Sequence, residues 1–133
     1  MNTSIIPTTW QGPLHAALRV MTGLLFLEHG MTKLVHWPAT APFPADQALP
    51  PLMLATGILE VIGGVLIVAG YFTRITAFVL AGMMAVAYFM AHFPTSFFPV
   101  QNGGDAAVLF CFVFLYFAAS GAGPFSLDAS RKA

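Results

Sequence analysis

The sequence predicts an all-α membrane protein: one domain over residues 1–133, built as a bundle of four transmembrane helices in two helical hairpins. Three observations carry this. Of the 133 residues, 58% are hydrophobic and only 8% are charged, where a soluble domain would carry about 25%. Mean hydropathy is +0.81. Four apolar stretches, at about 14–35, 49–70, 75–93 and 105–120, approach the roughly 20 residues that a helix needs to cross hydrocarbon. Helix is also the only open structure that satisfies its own backbone there.

The first helix is expected to open at Pro13, where a missing N–H costs nothing. At about 100° per residue, Arg19, Gly23, Phe26, Gly30 and Lys33 share one stripe, with Thr22 and His29 on its edge. Glu28 lies roughly opposite Arg19, where it faces lipid, a neighbouring subunit or a local distortion of the helix. Residues 1–13 contain no Lys or Arg, unlike a cleaved signal peptide. Segment 34–50 is Pro-rich, with Trp37 and Phe43, and reads as a loop. The second helix gathers Met53, Thr56, Gly57, Glu60, Gly64 and Ile67 on one face. Glu60 therefore sits among glycines, where helices approach closely.

A very short link at Tyr71–Arg74 leads into the third helix, where Arg74, Phe78, Ala81, Ala85, Tyr88 and His92 align. Segment 93–104 repeats the Pro- and aromatic-rich character with Pro94, Phe97, Phe98 and Pro99, then runs through Asn102-Gly103-Gly104-Asp105. The fourth helix aligns Asn102, Asp105, Leu109, Phe112 and Tyr116. Gly121, Gly123 and Pro124 end it.

Six of the ten Lys, Arg, Asp and Glu residues lie in or against the apolar stretches: Arg19, Glu28, Lys33, Glu60, Arg74 and Asp105. An ionisable group at bilayer depth is costly unless it finds a partner or a polar cavity, so it marks a functional site by default. The four polar faces are expected to enclose one pocket under the outer leaflet. Its candidate ligand-binding residues are Glu60 at the floor, with His92, His29, Lys33, Tyr88, Asn102 and Asp105. Phe26, Tyr88, Phe93, Phe97 and Phe98 would supply aromatic walls. Arg19 and Arg74 are read as structural charges of the inner end. The competing reading of Glu60 is an ion pair with Arg19 or Arg74 that fixes helix register.

An apolar wall with few polar groups suits a planar small molecule. A quinone-like or phenolic ligand fits, and histidine near its neutral pKa can relay protons to it. Two histidines at similar depth also permit axial haem ligation, on a much thinner basis. No covalently bound cofactor is expected. The single Cys111 cannot form an internal disulfide or a thiolate metal cage, and no nucleophile–base pair, phosphate loop or metal spacing occurs. Zero net charge gives no footprint for nucleic acid. Expected partners are membrane lipid, a quinone or phenol, redox proteins and further copies of the chain.

Arg19, Arg74, Arg131 and Lys132 fall on the side of the termini and only Lys33 on the other, which places both termini in the cytoplasm of a multi-pass inner-membrane protein. Catalysis by this chain alone is left open, because it lacks an electron relay of its own. A small-solute transporter would instead need a polar path past Glu60 to Arg74. A scaffold for partner enzymes would need Glu60, His29 and His92 tied to one another with no space between.

Three stretches, RVMTGLLFLEHGMTK (Arg19–Lys33), TGILEVIGGVLIVAGYFTR (Thr56–Arg74) and AYFMAHFPTSFFPVQNGG (Ala87–Gly104), with the tail GAGPFSLD (Gly121–Asp128), resemble the DoxX family of small bacterial membrane proteins. The resemblance implies four membrane helices and association with redox systems: thiosulfate oxidation linked to quinone, oxidative stress response, and quinone or catechol handling. It implies no catalytic residues.

Overall fold

A computed structural model describes residues 5–131. Every regular element among them is helical. A 3₁₀ turn at Thr8–Trp10 leads into α1 (Gln11–Leu34), followed by α2 (Pro51–Ala69), α3 (Thr73–Ala87), a π-helical turn Tyr88–His92, α4 (Pro99–Asn102), α5 (Asp105–Ser120) and α6 (Leu127–Ser130). Lys132, part of the charge bias above, lies outside the described residues.

Helix α1 starts two residues before Pro13. Proline is tolerated there because the first-turn N–H groups have no intrahelical acceptor. Helix α2 begins at Pro51 and ends on Gly70, whose φ of 64° lets the Gly70 and Tyr71 N–H groups turn back onto Ile67 and Leu66 carbonyls, as a glycine C-cap does. Two stretches, Pro51–Ala69 and Thr73–His92, are long and apolar enough to cross a membrane, and Asp105–Ser120 is apolar but shorter.

Helices α1 and α2 pack antiparallel through glycine. A Cβ on Gly30 would sit 2.8 Å from the Gly57 carbonyl oxygen and from Val61 N. One on Gly64 would sit 2.9 Å from the Leu27 backbone, and one on Gly23 would sit 2.7 Å from Val68. The α1 and α2 faces read from the sequence are therefore the ones buried: Arg19, Thr22, Gly23, Phe26 and Gly30 on one helix, Gly57, Glu60, Gly64 and Ile67 on the other.

Helix α3 pairs with α5, and the stripes expected on them are corrected. Helix α3 buries Thr73, Ala77, Leu80, Ala81 and Met84, while Phe78 is 67% exposed. Helix α5 buries Ala107, Phe114 and Phe117, and Leu109, Phe112 and Tyr116 face outward. Both helices are apolar nearly all round, so polar residues could not mark the inner face. The core joins the two pairs: Phe26 and Ile67 meet Ala77, Leu80, Ala81, Met84, Phe114 and Phe117. Phe26 stacks edge-on against Phe114 at 4.9 Å.

The C-terminal tail locks the opposite end from the loops. Asp128 accepts hydrogen bonds from the Phe72 and Thr73 N–H groups, both at 2.9 Å, and so caps an α3 N-terminus that has no side-chain cap of its own. The Asp128 N–H donates to the Gly70 carbonyl, and Arg131 lies over the Tyr71 and Phe72 rings. Burial opposes the Asp128 charge. The neighbouring Thr73 backbone and hydroxyl, the Phe72 N–H and Arg131 outweigh it and hold the carboxyl below its usual range, although the buried Thr73 hydroxyl itself is outside hydrogen-bonding geometry.

A carboxyl depressed in the folded state stabilises it above the unfolded pKa of about 3.9, and that contribution fades as pH falls through the folded value. Asp128→Ala should cost about 1–2 kcal/mol at pH 7. The gap from the parent in thermal unfolding in detergent should close as pH falls below about 4.

Candidate functional site

The antiparallel register of α1 and α2 sets which charges can meet. Gly57 lies against Lys33 and Leu34, so Glu60, one turn further along α2, comes within reach of the lysine. The Lys33 ammonium donates to both carboxylate oxygens of Glu60, at 2.7 and 2.8 Å. Both side chains are nearly enclosed, with 12% and 5% exposure. Lys33 also sits 5.8 Å from the centre of the Phe43 ring, which extends from the 35–50 loop. The partner of Glu60 is thus Lys33, in place of the Arg19 or Arg74 that the alternative reading gave it.

Both arginines lie at the other end. Arg19 is fully buried and donates through Nη2 to the Phe125 carbonyl at 2.8 Å. Its guanidinium packs against Gly70, where any Cβ would collide with it, and Asp128 supplies the facing negative charge. Arg74 donates to the carbonyls of Ala118, Ala119 and Ser120. That is the last turn of α5, where a cation complements the helix dipole.

A second polar group forms where the π turn meets the 93–104 loop. The wider turn closes with Phe93 N–H on the Tyr88 carbonyl at 2.9 Å and interrupts the α-helical register between Tyr88, which α3 still carries in line with Ala81, and the residues after it. Such turns are frequent at functional sites. His92 Nδ1–H donates to the Asn102 carbonyl at 3.0 Å. The Asn102 amide donates to the Ser96 carbonyl and to the Tyr88 hydroxyl, at 2.9 and 3.2 Å, and accepts from Gly104 N–H at 2.8 Å. Gly104 can carry no side chain there, because a Cβ would lie 2.6 Å from the Tyr88 ring.

The structure therefore joins Lys33 with Glu60, and Tyr88 with His92 and Asn102. Because the four long helices alternate in direction, both groups lie toward the loop end of the bundle. His29 stands apart from either: its Nδ1–H donates to the Leu25 carbonyl of its own helix at 2.8 Å, and its ring meets the Phe110 edge at 5.7 Å. Asp105 is exposed in the first turn of α5. Of the expected aromatic walls, Phe26 is in the core, whereas Tyr88, Phe93, Phe97 and Phe98 run as a chain of ring contacts.

Sequence reasoning missed a third group at the tail end. His15 Nε2–H donates to the Gly121 carbonyl at 2.9 Å, which leaves Nδ1 to accept from the Tyr116 hydroxyl at 3.1 Å. No spacing links residues 15 and 116 in the sequence. An open cleft of about 680 Å³ is also at this end, between Phe72–Ile75, Ser120–Gly123, Asp128 and Arg131.

The sequence profile of DoxX matches residues 14–93. The chain belongs to the DoxX family. This DoxX protein is 39% identical to a Haemophilus influenzae protein named "Uncharacterized protein", over 85% of this chain and 87% of that one. It is 38% identical to "Putative oxidoreductase CatD" of Bacillus subtilis, over 48% of each chain. No solved structure matches it. The family is membrane-associated, in keeping with the two long apolar helices of this member. The matched segment holds α1, α2, α3 and the π turn, and so contains Lys33, Glu60, Tyr88 and His92 but not Asn102, Asp105 or the tail.

Proposed function

We propose that this DoxX protein is a four-span inner-membrane protein with both termini cytoplasmic, which binds a quinone-like or phenolic molecule at its loop end as a module of a redox complex. The enclosed Lys33–Glu60 pair carries the reading. A membrane bundle has nothing to gain in stability from a buried ion pair that apolar residues could replace, and ionisable groups at such depth serve function by default. The outward surface supports four spans: Leu18, Met21, Ile62, Val65, Ile75, Phe78, Val86 and Phe112 are all at least 44% exposed. The redox setting rests on the family and on the named oxidoreductase relative.

In this reading the Lys33 ammonium donates to one ring oxygen, and the Glu60 carboxylate accepts from that oxygen when it carries a proton as a phenol. His92 is held in its tautomer by the Asn102 carbonyl and offers Nε2 to the other. Tyr88 and Asn102 line the rim and Asp105 marks the mouth. His29, which bonds its own helix, stands outside this site. A quinone supplies redox chemistry when bound, and the chain positions it and moves protons. The interior between Glu60 and the Arg19–Arg74 end is filled by Phe26, Ile67, Leu80, Phe114 and Phe117. That solid layer favours a binding module over a transporter.

The test is quinone content of gently purified protein, by extraction and mass spectrometry. The parent should carry quinone, and Glu60→Gln and His92→Ala should lose most of it. Equal quinone in all three would place the ligand elsewhere.

A further inference from the structure

Among the charges within the long helices, Glu28 alone takes no part in the proposed site or in the contacts at the tail end. Glu28 lies on the outer face of α1, exposed and without a partner among the described residues. It continues a line of exposed residues: Leu14 (49%), Leu18 (44%), Met21 (55%) and Leu25 (48%). Their spacings alternate four and three, the repeat with which two helices pack side by side along a seam. Glu28 takes the next position of the same repeat. Beside it, His29 is exposed, and with Nδ1–H committed to Leu25 its Nε2 is unpartnered among the described residues.

We infer that this α1 face is the interface of a homodimer, in which Glu28 of each copy hydrogen-bonds His29 Nε2 of the other. The inference rests on the reading that α1 spans the membrane. Lipid tails are as apolar as leucine, so a Leu/Met seam alone gives membrane helices no reason to associate, whereas an interhelical polar contact does.

The occupant is chosen by complementarity. A carboxylate here needs a proton or a cation at its own depth. Among the described residues, the lysine and arginine cations are taken or distant: Lys33 by Glu60, while Arg19, Arg74 and Arg131 lie at the tail end. A second copy, parallel and related by a two-fold axis along the membrane normal, presents its own imidazole one residue from the carboxylate. Two-fold symmetry then makes the contact twice, residue i to j and j to i. Either a carboxylate on an imidazolium or a carboxylic acid on a neutral imidazole satisfies it, with one proton shared per pair.

The experiment uses the full chain in native membranes, in a Cys111→Ser background that removes the one cysteine. Met21→Cys sits on the proposed seam, and Phe78→Cys, 67% exposed on α3, sits off it. Oxidation should cross-link Met21→Cys into dimers and leave Phe78→Cys monomeric. Adding Glu28→Leu should weaken the Met21→Cys cross-link roughly tenfold. Equal cross-linking at both positions, or a cross-link indifferent to Glu28→Leu, overturns the interface. As a readout without variants, the parent in lipid nanodiscs should weigh twice the 14.2 kDa chain. A monomer mass, or a stable complex with a different membrane protein through Glu28, also overturns it. Release of the parent from membranes by alkaline carbonate would instead strike at the spanning reading itself.

Discussion

Replacing Lys33 by methionine should destabilise the protein by about 3–5 kcal/mol, because it strands the Glu60 carboxylate at 5% exposure with nothing to neutralise it. Methionine keeps the length and apolar stem of lysine, so little of the loss comes from packing. The double variant Lys33→Met with Glu60→Leu should recover most of that stability, since removing both partners of a buried pair is often neutral or favourable. The two singles and the double form a cycle readable by thermal unfolding in detergent. A Lys33→Met protein as stable as the parent would mean that Glu60 reaches water or takes a proton. The double variant also separates structure from function: it should fold and yet lose the ligand.

The second large effect is at the glycine seam between α1 and α2. Gly64→Ala puts a methyl 2.9 Å from the Leu27 N, Cα and Cβ atoms, and backbone on both sides cannot step aside as a side-chain tip can. Overpacking of this kind costs about 1–3 kcal/mol. It should also loosen the Lys33–Glu60 contact, since separating the helices lengthens the reach of the lysine. Gly82→Ala is the control: nothing lies within 4 Å of its Cβ. Gaining helix propensity, it should be neutral or stabilising by up to about 1 kcal/mol. Equal thermal stability of the two variants would contradict the close α1–α2 packing.

The legible parts of this chain are those where polar and small residues break an apolar background. Helices α1 and α2 carry glycine, threonine and charge on one stripe, so their buried faces could be read directly. Helices α3 and α5 lack that contrast, and the face that packs is set by the shapes of Ala77, Leu80, Phe114 and Phe117 against Phe26, which periodicity does not encode.

Partner choice failed for a different reason. Glu60 meets Lys33 because close packing at Gly23, Gly30, Gly57 and Gly64 sets the register of the first hairpin, bringing Gly57 beside Leu34 and Gly70 beside Arg19. Depth alone left Arg19 and Arg74 as equal candidates. The π turn at Tyr88–His92 has no proline or glycine to announce it. Asp128 was visible only as part of the GAGPFSLD stretch, and its capping of α3 depends on a fold-back across more than fifty residues.

The proposed ligand is a planar redox molecule at the loop end of the bundle, beside Lys33, Glu60 and His92. Photolabelling of the purified protein with an azido-quinone, followed by peptide mapping, reads that position directly. The label should fall within residues 29–36, 56–62 and 88–104, and excess unlabelled quinone should displace it. Label confined to the His15–Tyr116 end, or spread over the outer faces and indifferent to competing quinone, would contradict the account.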